Sequence, residues 1–293
     1  MVTFGPSRTA LLTAYARAYH QIADRPLIFA DPLAAPMLGV TTKELNELSA
    51  RSDDQLAVAI NDQARRQFFA ARARFAEDAV TAAVIDGTQQ VVILGAGLDT
   101  FAYRNTNPRL RVFEIDHPET QAWKRDRLAA TGIVIPETLT FVPVDFETQD
   151  LATELENTAF SRNQPAIFVW LGVIFYLTPQ AAHTTLKYIA DQTPSTEVVF
   201  DYLQAANTDQ DRARLKTRSN RLAVNGEPFL APFTPDEMAK QLAAVYFTNI
   251  EDRPAQDVIS AYLGESPNYA DESVRTLHAS RLIHASRGRD SSL

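Results

Sequence analysis

One stretch, Gln90-Val91-Val92-Ile93-Leu94-Gly95-Ala96-Gly97-Leu98-Asp99-Thr100, constrains this chain more than any other. Four apolar residues run straight into two glycines spaced by one. Such a run suits a strand buried on both faces. Glycine has no Cβ, tolerates φ > 0, and lets a ligand approach the backbone closely. If a helix begins just beyond, its free N–H groups face that ligand. The pattern predicts the first strand and ligand loop of a nucleotide-type α/β domain. Thr100 stands where a dinucleotide fingerprint carries its third glycine, so the loop departs from that fingerprint.

The flanking sequence fits this reading. After the loop, strands are predicted at 91–94, 111–115, 139–144, 166–171, 197–203, 246–251 and 277–285. Helices are predicted between them at 118–130, 148–156, 179–192 and 234–244. This alternation implies βαβ crossovers and a mainly parallel sheet with helices on both faces. Before the loop the periodicity is helical, at 7–24, 43–50 and 54–85, with a Pro-bounded short turn or helix at 31–38. These segments have no place in the alternation and are expected to cap the ligand cleft. Residues 204–231 interrupt it with a polar run holding Arg212, Arg214, Lys216, Arg218 and Arg221. They are expected to form a helical insertion over the carboxyl edge of the sheet, where α/β ligands sit. The chain thus reads as one domain: a cap (1–85), a cofactor-binding half (86–203), a lid (204–231) and the rest of the sheet (232–293).

Composition removes several classes of function. The net charge of −8 argues against a broad nucleic-acid surface. The absence of cysteine excludes disulfides, thiolate chemistry and Cys-based zinc or iron–sulfur sites, and fits a reducing, cytoplasmic setting. Met1-Val2-Thr3-Phe4-Gly5-Pro6 lacks a basic segment followed by an apolar one, so no secretory leader is expected. No apolar run approaches the ~20 residues of a membrane span.

Three strand ends downstream of the loop carry candidate chemistry. Val112-Phe113-Glu114-Ile115-Asp116-His117-Pro118 puts an acid at the tip of the second strand, about 20 residues past the glycines, where a carboxylate can accept from both hydroxyls of a ribose. Asp116 is at the tip and Glu114 lies one pleat back with the same parity. The blander reading of Asp116 is a helix cap. Phe141-Val142-Pro143-Val144-Asp145-Phe146 repeats the pattern: Asp145 can accept from an adenine amino group, and Phe146 can give an apolar face and a backbone N–H. Ala166-Ile167-Phe168-Val169-Trp170-Leu171-Gly172-Val173 enters an apolar loop that would floor the site. The four arginines between 64 and 78 read, from composition alone, as a solvated helix face.

Taken together, these residues resemble the leucine carboxyl methyltransferase family, a branch of the class I S-adenosylmethionine-dependent methyltransferases, and most closely its bacterial O-methyltransferases. The matching blocks are Leu94 to Arg104, Phe113-Glu114-Ile115-Asp116, Val144-Asp145-Phe146, Leu171 to Thr178, Asp31-Pro32, Arg72-Ala73-Arg74-Phe75 and Gly226-Glu227-Pro228-Phe229. The resemblance implies a Rossmann-like seven-stranded sheet with one reversed edge strand, and S-adenosylmethionine as cofactor. It implies that Gly95, Gly97 and Asp99 shape the methionine-side loop, that Asp116 binds the ribose, and that Asp145 and Phe146 border the adenine. It further implies that Arg74 pairs with the cofactor's methionine carboxylate, with Arg17 or Arg8 as a second basic contact. Many relatives carry Glu where this chain has Leu171, which leaves that position only backbone or apolar contact.

The expected reaction is methyl transfer to a carboxylate or hydroxyl oxygen of a small, possibly polyketide-like, acceptor. A carboxylate acceptor needs no general base because it is already ionised near neutral pH. A hydroxyl acceptor would use one, with His117, His20 and Tyr176 as candidates. Arg218 or Arg221 could steer an anionic acceptor. The alternatives are methylation of a protein C-terminal carboxylate, a NAD-dependent oxidoreductase and a non-catalytic S-adenosylmethionine-binding protein.

Overall fold

The structure is a computed structural model that describes residues 7–51, 54–145, 148–192, 195–206, 208–223, 230, 232–269, 277 and 279–287. The chain opens with five helices: α1 (Arg8–Ala23), α2 (Ala34–Leu38), α3 (Thr42–Ser49), α4 (Gln55–Asn61) and α5 (Gln63–Ile85). The alternating part follows: β1 (Gln90–Leu94), α6 (Phe101–Arg104), β2 (Arg111–Asp116), α7 (Pro118–Thr131), β3 (Leu139–Pro143), α8 (Leu151–Glu156), β4 (Ala166–Trp170), α9 (Pro179–Ala190) and β5 (Glu197–Leu203). It ends with α10 (Asp209–Ala223), α11 (Pro235–Ala244), β6 (Asn249–Pro254), α12 (Ala255–Leu263) and β7 (Ser280–Ser286).

The seven strands form one sheet in the order β3-β2-β1-β4-β5-β7-β6. β1 to β5 pair in parallel, whereas β7 runs antiparallel to both β5 and β6. The reversed strand therefore lies one place in from the edge, and β6 is the edge strand itself. Order reverses between β1 and β4, and a ligand crevice opens at the carboxyl ends of strands at such a switch point.

Strand parity decides which helix covers which face. Val92, Phe113, Phe168 and Phe200 turn to one face, under α8, α9 and α11. Val91, Val112, Ile167 and Val199 turn to the other, under α5 and α12. α5 is thus a sheet-covering helix, and the cap proper is α1 to α4. The single helix expected over 54–85 breaks at Asp62, whose extended backbone (φ −71°, ψ 101°) ends α4 and whose carboxylate caps α5 at Arg65 N, 3.2 Å away. The last strands also shift from expectation. Tyr246 takes a left-handed turn (φ 69°), so the strand expected at 246–251 starts at Asn249, and α12 follows it directly. No described helix is long and apolar enough to cross a membrane.

Candidate active site

The glycine loop forms as the sequence suggests. Gly95 and Gly97 have φ of +67° and +46°, which β-carbon-bearing residues avoid. A Cβ on Gly95 would lie 2.5 Å from Val173 Cγ2, and one on Gly97 would lie 3.2 Å from Ala10 Cβ of α1. The amides of Gly95 and Ala96 both donate to Ile115 O, at 2.9 and 3.0 Å, so the loop folds onto the end of β2. The Asp99 carboxylate caps α6 at Phe101 N, 2.8 Å away.

Asp116 sits beside this loop at the tip of β2. Its Oδ2 accepts from the Gly97 amide and its Oδ1 from the His117 amide at 2.7 Å. Burial pushes the carboxyl above the usual aspartate range, and the two amides pull against that shift. A carboxylate with one donor on each oxygen keeps lone pairs for two further hydroxyls. Val144 N donates to Asp116 O at 2.9 Å, which brings Asp145 to the neighbouring strand end. Asp145 Oδ2 accepts from Thr148 Oγ1 at 2.9 Å. Phe146 lies outside the described residues.

Glu114 has a different role from Asp116. It is fully buried, and its Oε2 accepts from Lys124 Nζ at 2.7 Å and from the Tyr103 hydroxyl at 3.2 Å. Its Oε1 has no partner among the described residues. Burial pushes this carboxyl up to about 7, against the pull of the Lys124 ammonium. It is a core group beneath the cleft.

The β4 side of the cleft separates two arginines of α5. The Arg74 side chain is 40% exposed; it lies 4.2 Å from the Tyr262 ring centroid, donates to Ile28 O at 3.1 Å and pairs with Asp78 at 3.6 Å. None of these partners belongs to the loops at the carboxyl ends of β1, β2 or β4. Arg72, two residues earlier and so on nearly the opposite side of α5, is the arginine that reaches the strand ends. It is 7% exposed and donates from Nη1 to Asp201 Oδ2 at 2.9 Å. Leu171, half-buried, follows the last paired residue of β4 and precedes Gly172, whose backbone is left-handed (φ +74°). The matching block holds Arg72 without giving it a role, and Asp201 lies outside every block. The available signal was an acid inside the apolar run Val198-Val199-Phe200-Asp201-Tyr202-Leu203, since a buried carboxylate requires a partner.

α1 closes the site from above. Arg17 donates to Asp31 Oδ2 at 3.0 Å and to Leu98 O at 2.8 Å, and Thr100 Oγ1 donates to Asp31 Oδ1 at 2.7 Å. Arg17 is thereby committed to the loop's backbone. Thr9 Oγ1 lies 3.5 Å from the Tyr176 hydroxyl, and the Tyr176 ring packs edge-on to Phe175 at 4.7 Å. Two of the base candidates serve the fold. His20 is fully buried, with Nδ1 at 2.8 Å from Asp24 and Nε2 accepting from Ile28 N at 3.1 Å. His117 caps α7, its Nδ1 accepting from Glu119 N at 3.3 Å. Arg218 and Arg221 lie in α10, but their side chains fall outside the described residues. Among the described residues no cluster of acids and histidines could hold a metal ion.

Comparison with known proteins places this geometry. The signature of the family described as leucine carboxyl methyltransferase matches residues 10–190. YktD of Bacillus subtilis (strain 168), named as an S-adenosyl-L-methionine-dependent methyltransferase, is 30% identical over 93% of this chain and 97% of its own length. A Mycolicibacterium gilvum (strain PYR-GCK) protein named in the same terms is 31% identical over 74% of this chain and 75% of its own. The crystal structure of a DUF574 family protein from Streptomyces avermitilis superposes with a TM-score of 0.51 at 15% identity, covering 97% of this chain and 98% of that one, a likeness of fold.

Proposed function

We propose that this chain, which belongs to the leucine carboxyl methyltransferase family, is an S-adenosylmethionine-dependent O-methyltransferase acting on a carboxylate or hydroxyl oxygen of a small molecule. The observation that carries this reading is Asp116, held at the tip of β2 by the amides of Gly97 and His117. The residues fit the cofactor. The Gly95-Ala96-Gly97 loop turns sharply at the end of β1 and lies so close to Val173 that a Cβ on Gly95 would collide with it. Asp116 suits the ribose hydroxyls and Asp145 the adenine edge. Arg72 replaces Arg74 as the cation for the methionine carboxylate. Leu171 gives an apolar wall.

When bound, S-adenosylmethionine supplies an electrophilic methyl group on a sulfonium, transferred in line as the carbon–sulfur bond breaks and its electron pair stays on sulfur. The chain's own residues bind, orient and exclude water. Fixing two reactants in this way can supply up to ~7–11 kcal/mol of the barrier. Asp116 and Arg72 anchor two separated ends of the site. α1 shields it through Ala10 and the Thr9–Tyr176 contact. His20 and the Nδ1 of His117 are already engaged, which favours an acceptor oxygen that needs no base, a carboxylate. The partly exposed Val173 and Tyr176 on the turn beside Gly95 support an acceptor with an apolar body. The cysteine-free sequence supports action in a reducing compartment.

The test is incubation with methyl-labelled S-adenosylmethionine and a panel of small carboxylic acids, phenols and C-terminal peptides. Label in a base-labile product of a small acid is the expected result. Label in a base-stable product moves the reading to a hydroxyl, and label on peptides alone moves it to a protein C-terminus.

A further inference from the structure

Asp201 is the carboxylate the reading above leaves unused. Strand parity turns it to the same face as Val199, toward α5. The register pairs Trp170 with Phe200, so Asp201 comes level with Leu171, where β4 ends. It is 2% exposed, and its two oxygens divide their work. Oδ2 accepts from Arg72 Nη1 at 2.9 Å, and Oδ1 accepts from the Gly172 amide at 2.6 Å. Gly172 is itself packed against the guanidinium: a Cβ there would lie 3.0 Å from Arg72 Nη1. The ring centroids of Phe68 and Phe69, one turn back on the same helix, stand 5.6 and 5.0 Å from the Arg72 guanidinium carbon.

An arginine so enclosed has few rotamers left, and Asp201 fixes which one it takes. The same carboxylate pins the first residue pair of the β4 loop, next to the glycine loop that Val173 touches. The end of β4, the middle of β5 and α5 thus meet on one side chain. We propose that Asp201 is a positioning residue for cofactor binding, acting through Arg72 and the Gly172 turn to aim the guanidinium at the cofactor's amino-acid end. This rests on the assignment of Arg72 to the methionine carboxylate.

The test uses the full chain and two ligands that differ only at that end: S-adenosylhomocysteine, and 5′-methylthioadenosine, which lacks the carboxylate. Affinities are read by calorimetry for Asp201→Asn, Asp201→Glu, Arg72→Ala and the Arg72→Ala/Asp201→Asn pair. Asp201→Asn is expected to weaken S-adenosylhomocysteine about tenfold or more, the size of one charge-assisted contact. It should leave methylthioadenosine within about twofold, inside the few tenths of a kcal/mol by which remote sites couple. Asp201→Glu should recover part of the loss, and the pair should be no worse than Arg72→Ala alone. Equal losses on both ligands, or losses that add in the pair, overturn the proposal. Gly172→Ala reaches the same guanidinium without unpairing a buried charge. Selective loss of S-adenosylhomocysteine in that variant supports the proposal even where Asp201→Asn does not fold, and equal loss on both ligands overturns it. If Arg72→Ala leaves both affinities unchanged, the assignment of Arg72 itself has failed.

Discussion

The two halves of the cleft hold their acids by different means. At β2, Asp116 is fixed by main-chain amides one residue and nineteen residues away. At β5, Asp201 is fixed by a glycine amide and by an arginine 129 residues away on another helix. Main-chain donors come with the turn itself, so the β2 half is assembled once β1, its loop and β2 are paired. The β5 half exists only when α5 has docked on the sheet. The first kind of site is a property of a motif, and the second is a property of the fold.

The contrast can be broken most directly at Asp116. Asp116→Ala removes an acceptor for two hydroxyls, worth about 1.5–3 kcal/mol each. S-adenosylmethionine affinity should fall by about 100-fold or more, while the melting temperature stays near that of the parent. An unchanged affinity in calorimetry would remove Asp116 from the site.

Arg72→Ala should show the opposite profile, with cofactor affinity and stability reduced together. Breaking a buried pair from one side typically costs about 3–5 kcal/mol, because Asp201 would keep an uncompensated charge. Urea unfolding checks the stability, and a midpoint equal to the parent's would show that the ion pair is not structural. Glu114→Gln sharpens the comparison within the β2 half. The buried Glu114 carboxyl titrates at about 7, above the ~4.3 of an unfolded glutamate. Its contribution is present in full below pH ~4.3 and is lost as pH rises through about 7. The glutamine variant should therefore show a flatter decline of stability across that window, read by urea titrations at a series of pH values. The smallest effect belongs to Arg74→Ala, which gives up an exposed cation–π contact of about 0.5–1 kcal/mol. Its cofactor affinity should match the parent's, and a loss comparable to that of Arg72→Ala would return Arg74 to the site.

Those two arginines also show how far the sequence can be read. The places of Gly95, Gly97, Asp116 and Asp145 at the strand ends are legible because each closes an apolar run, and strand ends collect at one edge of a parallel sheet. The order of strands and helices through β5 was legible for the same reason. Choosing between Arg72 and Arg74 required knowing which side of α5 faces the sheet, and α5 carries alanines and arginines all around. The face that packs on the sheet brings Arg72 to Asp201, on a strand not yet reached along the chain. The reversal of β7 and its insertion between β5 and β6 depend on pairings across the sheet that no local pattern encodes. α12 escaped notice because Pro254 both ends β6 and opens the helix, leaving no loop to mark a boundary. His20 looked reactive in sequence only because its partners, Asp24 and the amides of Ile28 and Phe29, become visible when α1 and the following loop fold together.

Arg17 sets an order on how the protein can be made. Its first partner, Asp31, follows 14 residues later, but the carbonyl that completes its shell, Leu98 O, is 81 residues further along. Thr100, which completes Asp31, lies 69 residues beyond it. A chain emerging from its amino end must carry this arginine and this aspartate half-satisfied until the first strand and its loop have been synthesised. The amino-terminal helices cannot then mature as an early, separate unit. They reach their final packing only once the first strand and its glycine loop, made after them, are in place.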